Sequence, residues 1–198
     1  MNIAAAILAA GRGSRWGPDT PKPLAQFSGR PLVEWAVAAA RDSELLPLIV
    51  VVGYEGLAVG KVIADVEVVH CPNWELGQAH SLRAVIQALN HRDVDALCVG
   101  LADQPLIGPE SYRRLATAAK AGVRFGVSTY SGQRGNPVLI HRELWSDVDN
   151  LTGDEGARAL MGEHEVTEID CTGTGISTDV DTISELHRLE EEYHANLK

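Results

Sequence analysis

"LAAGRGSRWGPDTPKPL", residues 8–24, leaves the apolar run 3–8 without a break. Three glycines (Gly11, Gly13, Gly17), two arginines (Arg12, Arg15) and Lys22 crowd a loop that starts where a first buried strand should end. Glycine permits close approach of backbone to a ligand, and successive amides in such a loop form an anion-binding concavity. Glycine also punctuates ordinary strand-to-helix connections, so the basic side chains carry the argument. Arg12 and Arg15 bracket Ser14, and Lys22 sits between two prolines that restrict its backbone. Forked and point cations suit a polyphosphate. The loop matches neither GxxxxGK[ST] nor GxGxxG, so it predicts a phosphate cradle of another kind.

Working outward, short β-branched runs recur at 48–52, 66–70, 96–100, 125–130, 137–140 and 166–171. Stretches with helical apolar spacing, "PLVEWAVAAARD" (31–42) and "HSLRAVIQALNHRD" (80–93), separate the first of these. Alternation of strand and helix predicts an α/β fold, a mainly parallel central sheet flanked by helices on both faces, with ligands at the carboxyl ends of its strands. After Tyr130 the rhythm changes to a turn "SGQRGNP", a short strand, and brief helical segments near 142–147 and 154–162. The tail "TISELHRLEEEYHANLK" reads as helix. No repeat or Pro/Gly/Ser-rich linker divides the chain, so one domain is expected over its 198 residues.

A formal net charge of −10 argues against nucleic acid and anionic membrane as partners. No apolar stretch reaches the ~20 residues of a membrane span, and the start of the chain lacks a basic leader, so a cytoplasmic protein is expected. Cys71, Cys98 and Cys171 are odd in number and show no CxxC spacing, which predicts reduced, buried thiols rather than disulfides or zinc. The seven histidines lack ligand spacing and read as structural or solvated, and Trp16 reads as a lid or packing residue.

"LAAGRGSRWG...PK" resembles the signature loop of the nucleotidyltransferases that include molybdenum cofactor cytidylyltransferase, the related guanylyltransferase and sugar-phosphate nucleotidyltransferases. The resemblance continues in order along the chain, through "NWELGQAHSLRAVIQAL", "ALCVGLADQPLI", "GQRGNPVLI", "LTGDEGARAL" and "STDVDTISEL". It implies a single Rossmann-like domain of the GT-A type, with a nucleotide-binding half over about 1–105 and an acceptor half over about 106–198. It further implies that Leu8, Ala9, Ala10, Gly11, Arg12, Gly13 and Ser14 cradle the nucleotide and that Gly77, Gln78 and Ser81 read its base. Ser81 has an ordinary alternative as the cap of the helix that follows.

By the same resemblance Asp103 binds Mg²⁺, a hard cation that takes one or two carboxylates plus substrate phosphates. Asp181 completes the metal site, with Asp179 as the close alternative; an aspartate before a helix can also be a cap, worth about 1 kcal/mol. Arg15, Lys22 and Asp103 are the catalytic set, and Gln104, Arg134, Gly135 and Asn136 face the acceptor. Asn136 stands where the family often has histidine, which alone of the two can become a cation near neutral pH.

The implied reaction transfers CMP from CTP to a phosphorylated acceptor such as molybdopterin, releasing pyrophosphate, with a molybdoenzyme as a possible downstream partner. "LAAG" and "ADQP" resemble the cytidylyl branch, whereas "GPDTPKPL" resembles sugar-phosphate enzymes and keeps a sugar-phosphate acceptor as the alternative. A non-catalytic, nucleotide-binding chaperone is the alternative of another class, since a fold does not by itself prove turnover.

Overall fold

In a computed structural model that describes residues 1–17, 20–162 and 164–196, the first apolar run becomes strand β1 (Ile3–Ala9), every residue of which is buried. Burial on both faces is the signature of a central parallel strand. The side chains of β1 divide between two cores: Ala4, Ala6 and Leu8 enter one, and Ile3, Ala5, Ile7 and Ala9 the other. Three of the seven positions are large and four are alanine, so helices approach the sheet closely on each face.

Chain order then gives β2 (Gln26–Phe27), β3 (Arg30–Pro31), α1 (Leu32–Asp42), β4 (Leu48–Val52), α2 (Gly56–Val62) and β5 (Glu67–His70). The second half adds α3 (Gln78–Leu89), β6 (Ala96–Leu101), α4 (Pro109–Lys120), β7 (Phe125–Tyr130), β8 (Gln133–His141), β9 (Thr167–Asp170) and α5 (Ile183–Asn196). Seven strands form one sheet in the order β5-β4-β1-β6-β8-β7-β9. Pairs β4–β5, β1–β4, β1–β6 and β7–β9 are parallel, and β8 alone runs against its two neighbours. The expected mainly parallel α/β sheet is therefore present, and it runs through both spans of the single domain.

Three local departures from the sequence reading have physical causes. The stretch "SGQRGNP" is not all turn: only Ser131 and Gly132 turn, both at positive φ, and Gln133–Pro137 continue β8. Pro137 is tolerated in the strand because the register jumps there, Val127 pairing with Val138 and Ser128 with Gly135. The alternation also passes over α4, whose buried stripe of Tyr112, Leu115, Ala116 and Ala119 is outnumbered by the polar residues Glu110, Ser111, Arg113, Arg114, Thr117 and Lys120. The segments 142–150 and 157–162 are helical as read, but as 3-10 turns.

A third, smaller core joins Trp16, Phe27, Leu32, Val180, Leu186 and Leu189. It fastens the β2–β3 hairpin and the tip of the first loop to α5, so Trp16 is a packing residue. Trp35 meets Phe27 and Tyr193 edge-on within it, and Phe27 and Tyr193 meet at a tilt, all at 5.5–5.7 Å between ring centres. All three cysteines are buried and unpaired, as expected. Among the described residues no helix is long and apolar enough to cross a membrane.

Candidate active site

The carboxyl ends of β1 and β6 lie side by side, tied by the Ala102 amide donating to the Leu8 carbonyl at 3.1 Å. The chains leaving them wall a cavity of about 270 Å³. Leu8, Ala9, Ala10, Gly11 and Gly13 line it together with Gly77, Gln78 and Ser81, and Lys22 and Asp103 also border it. Gly13 adopts φ +72°, and a Cβ there would lie 2.9 Å from the Cβ of Lys22, so a glycine is required for loop and lysine to pass each other. Arg12 and Ser14 lie outside this lining; the Arg12 guanidinium stacks 5.4 Å from the centre of the Tyr54 ring.

Lys22 opens the 3-10 turn Lys22–Leu24, flanked by Pro21 and Pro23. Its ammonium donates to Asp103 Oδ2 at 2.6 Å and to Asp181 Oδ1 at 2.8 Å. Arg15 donates to the other oxygen of Asp181 at 2.7 Å. Burial alone would lower the Lys22 pKa, but its pairs with Asp103 and Asp181 outweigh it and the net shift is upward. Asp181 is held below the usual carboxylate range chiefly by the hydrogen bond from Lys22. Asp103 Oδ1 is buried and has no hydrogen-bond partner among the described residues.

Asp181 is not a helix cap. The capping box of α5 is built by its neighbours: Glu185 accepts from the amides of Asp181 and Thr182 at 2.9 and 2.8 Å, and Thr182 Oγ1 accepts from the Glu185 amide at 3.2 Å. The carboxylate of Asp181 is thereby left to the site, and the T-x-x-E spacing at 182–185 is the sequence signal that would have shown it. Asp179 faces another way. Gln104 donates to it at 2.7 Å and to the Ser177 carbonyl at 3.2 Å, while Gln104 Oε1 accepts from Asn136 at 3.1 Å. Burial and the nearby Asp103 push the Asp179 carboxyl upward.

The Gln104–Asp179–Asn136 chain borders a second cavity of about 270 Å³, lined also by Asp154, Gly156 and Arg158. Gln78 contributes to the walls of both cavities. Of the residues read toward the acceptor, Asn136 lines this cavity and Gln104 supports it from behind. Arg134 is at the surface, paired with Glu168 at 2.7 Å, and Gly135 packs against Tyr130 and Ser177.

Gly77 has a tighter constraint than its sequence context shows. At φ +104° and ψ 178° it approaches the 153–154 backbone so closely that a Cβ would fall 2.1 Å from the Gly153 carbonyl. The Ala79 amide donates to that carbonyl at 3.1 Å. Ser81 makes no capping hydrogen bond; it is buried on the first turn of α3 and borders the cavity. Trp74 and Asp154 also line the first cavity and were not read from sequence. Nothing in the periodicity of "NWELG" distinguishes Trp74, and Asp154 arrives on a loop that only the packing of Gly153 on Gly77 brings near.

A cation and two carboxylates beside a glycine-lined cavity suit chemistry on a nucleoside triphosphate, the class of the nucleotidyltransferases. The chain belongs to the MobA-like NTP transferase domain family, whose profile matches residues 5–168. It is similar to Rv0371c from Mycobacterium tuberculosis H37Rv, with 29% identity, 96% of this chain and 98% of the other covered, and a TM-score of 0.82. A second structure of that protein, in complex with manganese, superposes with a TM-score of 0.81. The nicotine blue oxidoreductase of Paenarthrobacter nicotinovorans is 29% identical over 94% of this chain and 96% of its own length. The bifunctional protein GlmU of Aromatoleum aromaticum is 40% identical over 62% of this chain, which spans 27% of that longer protein.

The donor set fits a hard divalent cation: two carboxylates that already share one positive group, plus the unpartnered Asp103 oxygen. Among the described residues no cluster of three or more His, Cys, Asp or Glu could hold a metal by itself, so a cation held by these carboxylates would need further ligands, as Mg²⁺ takes from substrate phosphates and water.

Proposed function

We propose that this protein transfers CMP from CTP to a phosphorylated acceptor, molybdopterin by preference, in the cytoplasm, with Mg²⁺ as the metal. The observation that carries the reading is the Lys22 ammonium held between Asp103 and Asp181 beside the first cavity. The cavity takes the nucleotide, with Gly11 and Gly13 against the triphosphate and Gln78 and Ser81 toward the base. The second cavity, bordered by Asn136, takes the acceptor, so the span 1–105 serves chiefly the nucleotide and 106–198 the acceptor.

An acceptor phosphate oxygen attacks the α-phosphorus; the new P–O bond forms as the bond to the bridging β-phosphate oxygen breaks, and pyrophosphate leaves with that oxygen. Asp103 and Asp181 would hold the Mg²⁺, which when bound supplies charge neutralisation of the phosphates. Lys22 and Arg15 hold the triphosphate in line, and no side-chain nucleophile is needed. The product would pass to a molybdoenzyme. A second reading, a sugar-phosphate acceptor, is favoured by the "PKPL" turn at Pro21–Leu24. Residues 18–19 of the longer connection that precedes this turn lie outside the described residues.

The deciding experiment is pyrophosphate release from each of four nucleoside triphosphates against molybdopterin and a set of sugar phosphates. Release with CTP and molybdopterin alone is the expected result; release only with a sugar phosphate establishes the second reading. No release with any pair, despite bound nucleotide, would leave a nucleotide-binding protein without this turnover.

Two variants test the assignments within the first cavity. Lys22→Ala should weaken CTP binding about thirtyfold and cytidine binding less than threefold, because a charge-assisted contact of roughly 2 kcal/mol is lost only where phosphate is present. Calorimetric titration of both ligands measures the difference, and equal losses would remove Lys22 from the phosphates. Gln78→Ala should reduce the preference for CTP over other triphosphates about tenfold while the metal requirement persists, since a site built to hydrogen-bond a base rejects analogues that leave its groups unpaired. Competition between triphosphates reads this directly; an unchanged ranking would take base reading away from Gln78.

A further inference from the structure

Lys22 occupies an unexpected place for a residue whose role is to touch phosphate. Its Nζ lies within 2.6 Å of one site carboxylate and 2.8 Å of the other, the bridging position that a cation shared by Asp103 and Asp181 would take. The side chain is only 10% exposed, so the ammonium reaches this point by burial, at a desolvation cost that the two carboxylates offset. Its backbone is fixed in a turn between Pro21 and Pro23, and its stem runs past Gly13, which lines the same cavity. Only the far end of the side chain needs to move for the ammonium to exchange the carboxylates for a phosphate in that cavity.

We propose that Lys22 is the resident cation of the metal site: in the metal-free, nucleotide-free protein it fills the divalent-cation position, and it vacates that position when metal and triphosphate arrive together. This inference rests on the reading that Asp103 and Asp181 share one metal ion. The physical consequence is competition. A tethered ammonium is present at high effective concentration and neutralises the charge that would attract a free divalent ion, so metal alone binds poorly. A metal–triphosphate complex changes the balance, because the displaced ammonium gains phosphate oxygens as new partners in the cavity it already lines. The lysine thus couples metal binding to nucleotide binding, and the coupling is reciprocal. It also keeps Asp103 and Asp181 from facing each other as uncompensated charges in the resting protein.

The test measures Mn²⁺ binding to the intact protein without any nucleotide, by calorimetry and by loss of the free Mn²⁺ paramagnetic resonance signal. Lys22→Met should bind Mn²⁺ about tenfold more tightly than the wild type, the size of one charge interaction at a half-buried site. Lys22→Gln, which keeps a hydrogen-bond donor without the charge, should gain nearly as much and serves if the methionine variant folds poorly. Adding Asp103→Asn to either variant should abolish the gain. Arg15→Gln removes a cation from Asp181 at a 73% exposed side chain and should change Mn²⁺ affinity less than threefold.

Unchanged or weaker Mn²⁺ binding in both Lys22 variants, with Asp103→Asn alone still lowering wild-type binding, would overturn the resident-cation role and leave the metal site standing. Equal tightening by Arg15→Gln would overturn it as well, by reducing the effect to net charge. Tight Mn²⁺ binding that survives Asp103→Asn in the Lys22→Met background would remove the shared metal site itself, and with it the foundation of the inference.

Discussion

Asp103→Asn should lower turnover about a thousandfold while the fold is kept. The replacement is nearly isosteric, the Val180 amide still finds the backbone carbonyl of residue 103, and the lost element is one negative charge on the carboxylate proposed to hold the metal. Removing a single electrostatic contact to a transition state that develops charge costs 10²- to 10³-fold, and a metal ligand belongs at the upper end. Asp181→Asn is expected to lose nearly as much, with some loss moderated because its carboxylate is more open and also served by Arg15. The double variant should be little worse than either single one, because groups that act through one ion are not additive. Steady-state rates at saturating CTP and metal, with circular dichroism to confirm folding, measure all three; losses that multiply would separate the two carboxylates into different roles. Asp179→Asn discriminates between the late aspartates: its carboxylate is turned to Gln104 and the second cavity, so its effect should fall on the KM for the acceptor rather than on the metal requirement.

Gly77→Ala should destabilise the protein by about 3 kcal/mol in the absence of any ligand. Its φ of +104° with ψ of 178° lies in a region that is essentially restricted to glycine, at a cost of 1–3 kcal/mol for another residue, and a Cβ would also collide with the Gly153 carbonyl. Relief requires the 153–154 backbone to withdraw, which breaks the hydrogen bond from the Ala79 amide and moves Asp154 away from both cavities. Urea unfolding of the ligand-free protein measures the loss. If Gly77 served only to admit a base, stability would be that of the wild type and CTP binding alone would fall.

Much of the site was legible because it rests on local chemistry. A glycine-rich loop followed by Lys22 between two prolines, a carboxylate at the end of a buried strand, and an aspartate ahead of the last helix are readable residue by residue, and Lys22, Asp103 and Asp181 do converge. Less legible were features carried by contacts distant in the chain. Arg134 reads as a cation beside a conspicuous glycine, yet Glu168, 34 residues away, holds it at the surface. Asn136 reaches Gln104 only because the register of β8 against β7 jumps at that point, and no residue pattern announces a bulge. The α4 helix escaped notice because its narrow buried stripe, packed on β6, β7 and β8, is embedded in a mostly polar stretch.

Taken by itself, the sequence determined the α/β class, the burial of the first strand, the mainly parallel sheet and the residues from which a nucleotidyltransferase site is built. Hydrophobic period, glycine and charge are properties of neighbouring residues, and local physics is enough to express them. Only the tertiary structure decided which late aspartate faces the lysine, which residues cap α5, that Gly77 is dictated by Gly153, and that Lys22 stands at a cation position. Each of these depends on where a side chain comes to rest against residues tens to more than a hundred positions away, and such distances are set by the packing of helices on the sheet rather than by anything written next to the residue itself.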